Sequence, residues 1–543
     1  MHPIGIDLGT TYSAISKWVS RTNFTGGETY NIAQESGYTL PSKVFLDEED
    51  GTSYFIVGSQ AMRDGIRRPE QLVTAVKRKM DNASFRYKLL GRSYSPIDVS
   101  AEIIKKLLKV AESIEAPETY VPEGIVVTVP HYFKQHQNVN TYQAALKAIK
   151  DLYAGRKTNG PLEDLMLGVL AEPIAAGLDY AFQRDAADGE ENILIFDLGG
   201  GTFDVTIFSL RQQGSSIRFK VLAVDGNDRL GGEDFDTSLF EWMCQEEGLD
   251  LSALDDKTRR NALKKILPEV TKAKEDLAAA KRTELLIAHA IGAEHIEMEV
   301  KRADFEACIT GKAGDMKDYY SVVEAKLQGV LTKSGLSESD ITWVLLVGGS
   351  SRISLFKKLI EDNFGLDKCK DSGNVRLAVT RGAAIYAAYL LDEKLEQAGK
   401  PRKHLALWDH IEIEEVTAHQ LGIELNGRFK MFLKDGEPTP RSRTKIFEPT
   451  TLSANGQRAK LDCIRIAQGN RNDYAIVGEV ELDDIYTHGR KIDDISIPIT
   501  FTAHRNLVTV KVLVKQGNAD GSDYVKEGQL TFKQSAENGA DDS

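Results

Sequence analysis

Cysteine and long apolar runs are scarce in this chain, and their scarcity argues against two classes of protein. The 543 residues include four cysteines, Cys244, Cys308, Cys369 and Cys463. They lack the CxxC spacing of redox and zinc sites, so we expect reduced core residues of a cytoplasmic protein. No apolar run approaches the ~20 residues needed to span a bilayer. A buried strand is expected within a few residues of the first methionine, so we expect no signal peptide.

Basic residues are also fewer than acidic residues. Lysine and arginine total 68 against 81 aspartates and glutamates, giving a formal net charge of −13. A general affinity for DNA, RNA or an anionic membrane is therefore not expected. The length leaves room for several domains, each with its own core, and 41% of the residues are hydrophobic. Composition thus predicts a soluble, cytoplasmic α/β protein without nucleic-acid or membrane partners.

Two similar phrases lie about 190 residues apart, IGIDLGTTYSAIS at 4–16 and ILIFDLGGGTFDVTIF at 193–208. Each predicts a strand, a terminal aspartate (Asp7 or Asp197), a glycine turn and a return strand. Free backbone N–H groups in such a turn can cradle a phosphate. An aspartate beside it is typical of a Mg²⁺ site. The repeat favours a duplicated domain whose loops clamp one polyphosphate, and two ordinary Asp-Gly hairpin turns are the alternative.

The chain resembles the DnaK-type (heat-shock seventy) chaperones of the actin and sugar-kinase ATPase superfamily. The matching motifs follow the family's order: IGIDLGTTYSAIS at 4–16, AVKRKM at 75–80, VVTVPHYF at 126–133, AEPIAAGLDYA at 171–181, FDLGGGTFDV at 196–205, LGGEDFD at 230–236, LVGGSSRI at 346–353, AVTRGAA at 378–384 and VTAHQLGIEL at 416–425. The resemblance implies a duplicated actin-like ATPase, two lobes around a nucleotide cleft, over 1–393. It further implies a linker over 394–416, a β-sandwich peptide-binding domain over 417–533 and a disordered acidic tail over 534–543.

The resemblance also implies roles for individual residues. The phosphates would be held by Gly9, Thr10, Thr11, Tyr12, Gly199, Gly200 and Gly201, and Mg²⁺ by Asp7 and Asp197 through water. The catalytic residues would be Lys77, which neutralises charge on the γ-phosphate, Glu172, which orients the attacking water, Asp197 and Thr202. Gly231, Gly232, Glu233, Lys274 and Ser350 would be further nucleotide-binding residues, and Gly348, Gly349 and Arg352 would form the wall under the adenosine. The implied cofactors are ATP, ADP and Mg²⁺, with K⁺ as an optional second cation.

Four positions depart from the family's pattern. Thr271 and Ala278 stand where the family usually has a glutamate and a serine beside the adenosine, and Arg376 replaces an aspartate. Asn138 stands where an arginine relays nucleotide state to the second domain. We therefore expect phosphate handling to be intact and adenosine selectivity to be weakened, and the coupling of the domains is left open.

Periodicity predicts the secondary structure around these motifs. Apolar spacing predicts helices over 100–116, starting at Ser100, over 256–281 and over 381–397. Alternation predicts antiparallel strands in DCIRIA, YAIVGEVEL, ISIPITFTA and LVTVKVLV. No long helical pattern follows Leu530, so we expect the family's helical lid to be absent.

The function implied is that of an ATP-dependent chaperone for unfolded or extended peptides, with a J-domain co-chaperone and a nucleotide-exchange factor as partners. A nucleotide-regulated scaffold or co-chaperone without a client clamp is the alternative. Ile423, Phe447 and Ile464 match apolar positions of the family's peptide cleft. Asn426 and Asp462, however, stand at or near positions that are usually apolar. A small-molecule kinase is disfavoured, because sugar kinases have no β-domain.

The linker phrase HIEIEEV at 410–416 is more acidic than its counterparts. In the family, an apolar linker docks on the ATPase domain when ATP is bound. Alternation predicts that this linker docks as an edge strand, with Ile411 and Ile413 turned inward. Glu412 and Glu414 must then face solvent or meet a basic residue, because an unpaired buried carboxylate is costly.

Overall fold

The computed structural model describes residues 1–530, apart from 22–23, 36, 83, 117–118, 132, 159, 184–188, 371–374, 406–409, 418, 426, 440, 449–450, 453–456, 461–463, 471–472, 481–484, 492–493 and 505–506. Asn426, Asp462, Cys463, the side chain of Arg376 and the tail 534–543 therefore lie outside the described residues. Cys244, Cys308 and Cys369 are free thiols. Within the described part of the chain, no helix is long and apolar enough to cross a membrane.

The first lobe is a mixed sheet covered by helices. Its strands are β1 (Pro3–Asp7), β2 (Tyr12–Arg21), β3 (Phe24–Thr29), β4 (Leu40–Pro41), β5 (Val44–Glu49), β6 (Thr52–Val57), β7 (Leu72–Val73), β8 (Tyr87–Leu89), β9 (Arg92–Tyr94), β10 (Gly124–Val129) and β11 (Met166–Ala171). Its helices are α1 (Ser59–Arg67), α2 (Pro96–Glu115), α3 (Gln135–Tyr153) and α4 (Glu172–Gln183). The main sheet runs β11-β10-β1-β2-β3.

The second lobe repeats this arrangement. Its strands are β12 (Gly189–Leu198), β13 (Phe203–Gln213), β14 (Ser216–Asn227), β15 (Arg282–Ile291), β16 (Glu294–Lys301), β17 (Trp343–Val347) and β18 (Cys369–Lys370). Its helices are α5 (Gly232–Glu246), α6 (Asp256–Ala279), α7 (Arg302–Ile309), α8 (Tyr319–Ser334) and α9 (Ser354–Phe364), and α10 (Val375–Gln397) follows them. The sheet order β18-β17-β12-β13-β14 has the same parallel and antiparallel neighbours as the first lobe. The predicted duplication is confirmed.

Two helices, α4 and α10, join the lobes. They share one buried cluster with both sheets, which includes Phe208 and Phe219 from the second lobe. A Cβ atom on Gly382 of α10 would overlap the Ala175 carbonyl of α4, so the helices cross at close range only because this residue is glycine. Beside the crossing, Arg381 donates two hydrogen bonds to the buried carboxylate of Asp179, at 2.8 and 2.6 Å.

Three helices differ in their limits from the sequence predictions. Helix α2 begins at Pro96, because Ser95 caps it: the Ser95 hydroxyl accepts the Asp98 N–H at 3.2 Å, and the Asp98 carboxylate accepts the Ser95 N–H at 2.9 Å. The predicted start at Ser100 is therefore wrong, and Ser100 is buried within the helix. Helix α6 ends at Ala279, two residues before the predicted end, and α10 begins at Val375, six residues before the predicted start.

Beyond α10 the chain is hydrogen-bonded to α10 and to the first lobe before it continues to the second domain. The buried Asp392 carboxylate accepts the backbone N–H groups of Lys403, His404 and Leu405, at 2.9, 3.0 and 2.7 Å. The Trp18 indole donates to the His404 carbonyl at 3.2 Å. The connection between the domains is therefore anchored as far as Leu405.

The second domain is a β-sandwich. Its strands, with the linker strand first, are β19 (His410–Val416), β20 (Leu421–Leu425), β21 (Arg428–Leu433), β22 (Pro438–Thr439), β23 (Arg441–Phe447), β24 (Thr451–Leu452), β25 (Arg458–Lys460), β26 (Ile464–Asn470), β27 (Asp473–Val480), β28 (Ile485–Tyr486), β29 (Ile497–His504), β30 (Leu507–Val514) and β31 (Tyr524–Leu530). Sheets β21-β20-β26-β27 and β23-β29-β30-β31 enclose a core of aliphatic and phenylalanine side chains. The four predicted strand stretches correspond to β26, β27, β29 and β30.

The linker strand β19 extends the second-lobe sheet. It pairs in parallel with β14, with Ile413 beside Phe219, and the partly buried Ile413 side chain packs on the cluster under the sheet. Arg218 donates through Nε to Glu414 at 2.9 Å and lies 3.2 Å from Glu412. Strand β19 then pairs with β22 of the sandwich. Glu412 and Glu414 thus each meet a basic residue, and one sheet runs from the second lobe into the second domain.

Candidate nucleotide site

The first hairpin of the cleft joins β1 to β2. The Gly9 N–H donates to the Ser13 hydroxyl at 3.2 Å, and a Cβ atom on Gly9 would overlap the Tyr12 carbonyl, so this turn requires glycine. The Asp7 carboxylate accepts a hydrogen bond from Thr128 Oγ1 at 3.0 Å. Thr128 lies on the neighbouring β10 and is fully buried. Asp7 is therefore fixed at the end of its strand.

The second hairpin, between β12 and β13, faces the first. Its turn is closed by a hydrogen bond from the Gly199 N–H to the Thr202 carbonyl at 3.0 Å. A Cβ atom on Gly200 would overlap Thr11 Oγ1 of the first hairpin. These two facing turns contain Gly9, Thr10, Thr11, Tyr12, Gly199, Gly200 and Gly201. Glycine at 200 therefore allows the two turns to approach.

A buried ion pair lies beside the two turns. Lys77 Nζ is hydrogen-bonded to Glu172 Oε1, and the two residues are 3% and 8% exposed. Lys77 sits in a short 3₁₀ turn preceded by Ala75, whose left-handed φ of 51° is uncommon for alanine. The structure therefore brings a buried cation and a buried carboxylate next to Asp7 and Asp197.

Burial dominates the electrostatics of the two aspartates. It raises the pKa of Asp7, and the neighbouring Glu172 raises it further, whereas Lys77 and the Thr128 hydrogen bond lower it. Burial likewise raises the pKa of Asp197, with Glu172, Asp204 and Asp7 adding to the increase and Lys77 opposing it. This crowding of carboxylates favours a bound cation.

The donor set fits a nucleotide-bound magnesium ion. Among the described residues, no three histidine, cysteine, aspartate or glutamate side chains lie together in a way that would hold a metal on their own. Mg²⁺ commonly takes one or two carboxylates, substrate phosphates and water, which Asp7 and Asp197 can provide together with a nucleotide. Thr11 Oγ1 is buried without a hydrogen-bond partner, a polar atom left for a ligand.

The other residues expected to bind the nucleotide lie on the second-lobe side of the cleft. Lys274 donates to the Gly232 carbonyl at 3.0 Å and pairs with Asp236 at 2.8 Å. A Cβ atom on Gly232 would lie 2.7 Å from Ser350 Oγ, and Gly348, whose φ is 81°, requires glycine. The group on this side comprises Gly231, Gly232, Glu233, Lys274, Gly348, Gly349, Ser350 and Arg352.

Comparison with known proteins decides the family. The family model described as "Hsp70 protein" matches residues 79–537. The chain is 31% identical to "Chaperone protein DnaK" of Thermosipho melanesiensis over 506 residues, 91% of this chain and 75% of that protein. It is also 31% identical to the DnaK proteins of Thermotoga neapolitana and Elusimicrobium minutum, over 86% and 92% of this chain and 70% and 73% of those proteins.

The chain belongs to the Hsp70 family. Hsp70 membership accounts for the duplicated actin-like lobes and the β-sandwich together, and it gives the protein the general character of an Hsp70-type chaperone. Hsp70 proteins are in general ATPases that bind ATP or ADP with Mg²⁺.

Two residues of this Hsp70 site were not predicted from the sequence. Thr128, which holds Asp7, is the one polar residue of GIVVTV, an otherwise apolar buried strand, and that isolation was the available signal. Arg78 lies in the basic run of Lys77, Arg78 and Lys79, and a basic run is typical of a solvated face. Its guanidinium donates to the Gly201 carbonyl at 3.1 Å and to Asp234 at 2.7 Å, so it ties the first lobe to the second hairpin.

Not all of the residues expected to line the peptide cleft of the Hsp70 sandwich are exposed. Ile423 and Ile464 are 0% exposed and belong to the sandwich core, whereas Phe447 is partly buried at its edge. That these three residues line a peptide cleft stays a prediction, and in this conformation Ile423 and Ile464 are enclosed in the core. Strands β20 and β26 pair with Ile423 opposite Ile466, and in this register both side chains belong to the sandwich core.

Burial of Asp197 predicts a conflict between stability and activity. Its raised pKa means that ionisation disfavours the folded, nucleotide-free protein, and this penalty grows as the pH rises above the ordinary value of 3.8. We expect Asp197→Asn to raise the free energy of unfolding by about 0.5–2 kcal/mol at pH 8, and by less at pH 5. Denaturant unfolding in EDTA measures both values, with the exposed Asp362→Asn as the unchanged control. Lower stability than the parent at pH 8 would contradict this prediction.

Proposed function

We propose that this protein binds Mg-ATP in the cleft, hydrolyses it slowly, and uses the nucleotide state to control binding of unfolded or extended polypeptide segments. The observation that carries the proposal is the pair of facing glycine hairpins, with Asp7 at the end of β1, Asp197 one residue before the end of β12, and the buried Lys77–Glu172 pair beside them. This arrangement suits a polyphosphate, because N–H groups, a cation and metal-binding carboxylates converge on one small volume.

The residue roles follow from this chemistry. The N–H groups of residues 10–12 and 199–201 hold the β- and γ-phosphates, and Asp7 and Asp197 hold Mg²⁺ through water. When bound, Mg²⁺ neutralises charge on the phosphate oxygens. Lys77 stabilises charge that develops on the γ-phosphate, and Glu172 orients the attacking water. Thr202 lies beside the γ-phosphate, and K⁺ as a second cation stays a prediction.

A peptide-array experiment tests the client-binding half of the proposal. Binding of unfolded or extended peptides that weakens when ATP is added supports the chaperone function. Because Ile423 and Ile464 are enclosed in the core, a nucleotide-regulated scaffold or co-chaperone remains the second candidate. ATP binding without any peptide capture in either nucleotide state would favour that candidate. A J-domain protein and an exchange factor are the partners proposed for both.

Nucleotide selectivity gives a separate test of the cleft. Thr271 and Ala278 of α6 lie on the helix that carries Lys274, and neither offers a carboxylate to a base or ribose. Hydrogen bonds from buried polar groups usually provide much of the discrimination between ligands. We expect the ratio of ATP to GTP affinity to be smaller than for a DnaK protein measured alongside, and to grow in Thr271→Glu/Ala278→Ser. Calorimetry measures both. A parent ratio equal to that of DnaK would contradict the prediction.

A further inference from the structure

A recess leads from the catalytic end of the cleft to the surface. Its inner end is lined by Thr10, Lys77 and Thr202, and its outer end by Arg78, Asp81 and Arg229. Thr10 and Lys77 are 7% and 3% exposed, whereas the Arg229 side chain is 75% exposed. The recess therefore connects the position proposed for the γ-phosphate to solvent.

The recess lies away from the nucleoside side. Gly348, Gly349 and Arg352, the residues expected under the adenosine, do not line it. Under the proposed function, cleavage of ATP would leave ADP between the hairpins and these residues. The released phosphate is left beside Lys77 and Thr202, at the inner end of the recess.

The walls of the recess suit an anion. Lys77, Arg78 and Arg229 contribute three positive charges, and Asp81 and Asp228 contribute two negative charges. Arg78 is held across the cleft by Asp234 and lies 3.3 Å from Glu233. Arg78 therefore forms a fixed wall, whereas the exposed Arg229 side chain is held by Asp81.

An ion pair spans the mouth. Arg229 Nη2 donates to Asp81 Oδ2 at 2.8 Å, which links the turn after Lys77 in the first lobe to the β14–α5 turn in the second. Both turns are supported: the Asn140 side chain donates to the Met80 carbonyl at 2.9 Å, and the Arg229 N–H donates to Asn227 Oδ1 at 2.9 Å. The pair is thus held across the opening by two anchored turns.

We propose that this recess is the exit for inorganic phosphate and that the Asp81–Arg229 pair is its gate. The inference rests on the proposed ATP hydrolysis, because only hydrolysis leaves a phosphate beside Lys77. A solvent-exposed ion pair is weak, so the gate opens readily and sets a rate rather than the stability of the lobes. Breaking it is expected to speed phosphate release roughly two- to five-fold.

The test separates cleavage from release. Single-turnover cleavage of radiolabelled ATP, phosphate release followed with a fluorescent phosphate sensor, and dissociation of a fluorescent ADP analogue are measured for the parent, Asp81→Asn and Arg229→Gln. We expect unchanged cleavage, unchanged ADP dissociation and phosphate release two to five times faster in both variants. The double variant Asp81→Arg/Arg229→Asp is expected to return release to the parent rate.

A matched control is an exposed ion pair remote from the recess. Arg259 Nη2 lies 2.7 Å from Asp256 Oδ1 on α6, and both side chains are exposed, so Asp256→Asn is expected to change none of the three rates. Unchanged phosphate release in Asp81→Asn and Arg229→Gln would overturn the gate. An equal acceleration of ADP dissociation would also overturn it, because the pair would then be a general clamp between the lobes. Absence of ATP cleavage in the parent would instead refute the proposed function.

Discussion

Replacing Lys77 by alanine is expected to slow ATP hydrolysis about 100-fold or more, because one preorganised charge contact to the transition state is lost. Lys77 is 3% exposed and its ammonium is held by Glu172. The substitution also leaves the Glu172 carboxylate buried without its partner, so the orientation of the attacking water suffers as well. Single-turnover hydrolysis at saturating Mg-ATP measures the effect.

The same basic run provides a matched control. Lys79 is two residues away and exposed, with its ammonium 5.3 Å from the Phe85 ring centroid. We expect Lys79→Ala to hydrolyse ATP at the parent rate. Near-UV circular dichroism and the unfolding midpoint check that Lys77→Ala is folded. A folded Lys77→Ala protein with parental hydrolysis would show that the assigned role is wrong.

Placing aspartates at Ile411 and Ile413 is expected to abolish the effect of ATP on peptide dissociation. Burial of an aliphatic side chain contributes about 1.5–3 kcal/mol, and Ile413 packs on the cluster beneath β14. A carboxylate at that position reverses this contribution, so the linker strand leaves the sheet. The measurements are the ATP-induced change in peptide off-rate and the rate of protease cleavage within the linker.

Loss of the charged contacts at the linker is expected to reduce the effect of ATP on peptide dissociation less than loss of its buried side chains. Arg218 is 49% exposed and pairs with Glu412 and Glu414, which are 41% and 22% exposed. Exposed pairs contribute roughly 0.2–1 kcal/mol, so Arg218→Glu should weaken the ATP effect only partly and more at low salt. Ile66→Asp, at an exposed isoleucine of α1, is the unchanged control. If the parent shows no ATP-dependent change in either readout, the domains are uncoupled and the scaffold function takes precedence.

Local patterns in the sequence predicted the two glycine hairpins, because the residues that form each hairpin lie within a few positions of one another. Asp7 ends β1, Asp197 lies one residue before the end of β12, and glycines follow at each turn, so both positions could be predicted without knowing the fold. The capping of α2 by Ser95 was equally local, but Ser100 offered a competing serine five residues later. Pro96 at the first helical position was the deciding signal.

Contacts between distant elements could not be read from the sequence. The partnership of Lys77 with Glu172 and of Arg78 with Asp234 depends on how the lobes close. The burial of Ile423 and Ile464 depends on the register of β20 against β26, because a one-residue shift exchanges the faces of a strand. The linker was predicted as an edge strand from its alternation, but its partner β14 and the basic residue Arg218 emerged only from the fold.

The anchoring of the chain at Leu405 by Asp392 limits how far the linker strand can travel. Between Leu405 and Val416 the tether is about 11 residues, or at most roughly 40 Å when fully extended. A released strand therefore searches a small volume, at an effective concentration in the millimolar range for a short tether. Return to β14 is unimolecular and independent of protein concentration, so a free peptide with the linker sequence would compete only at millimolar levels.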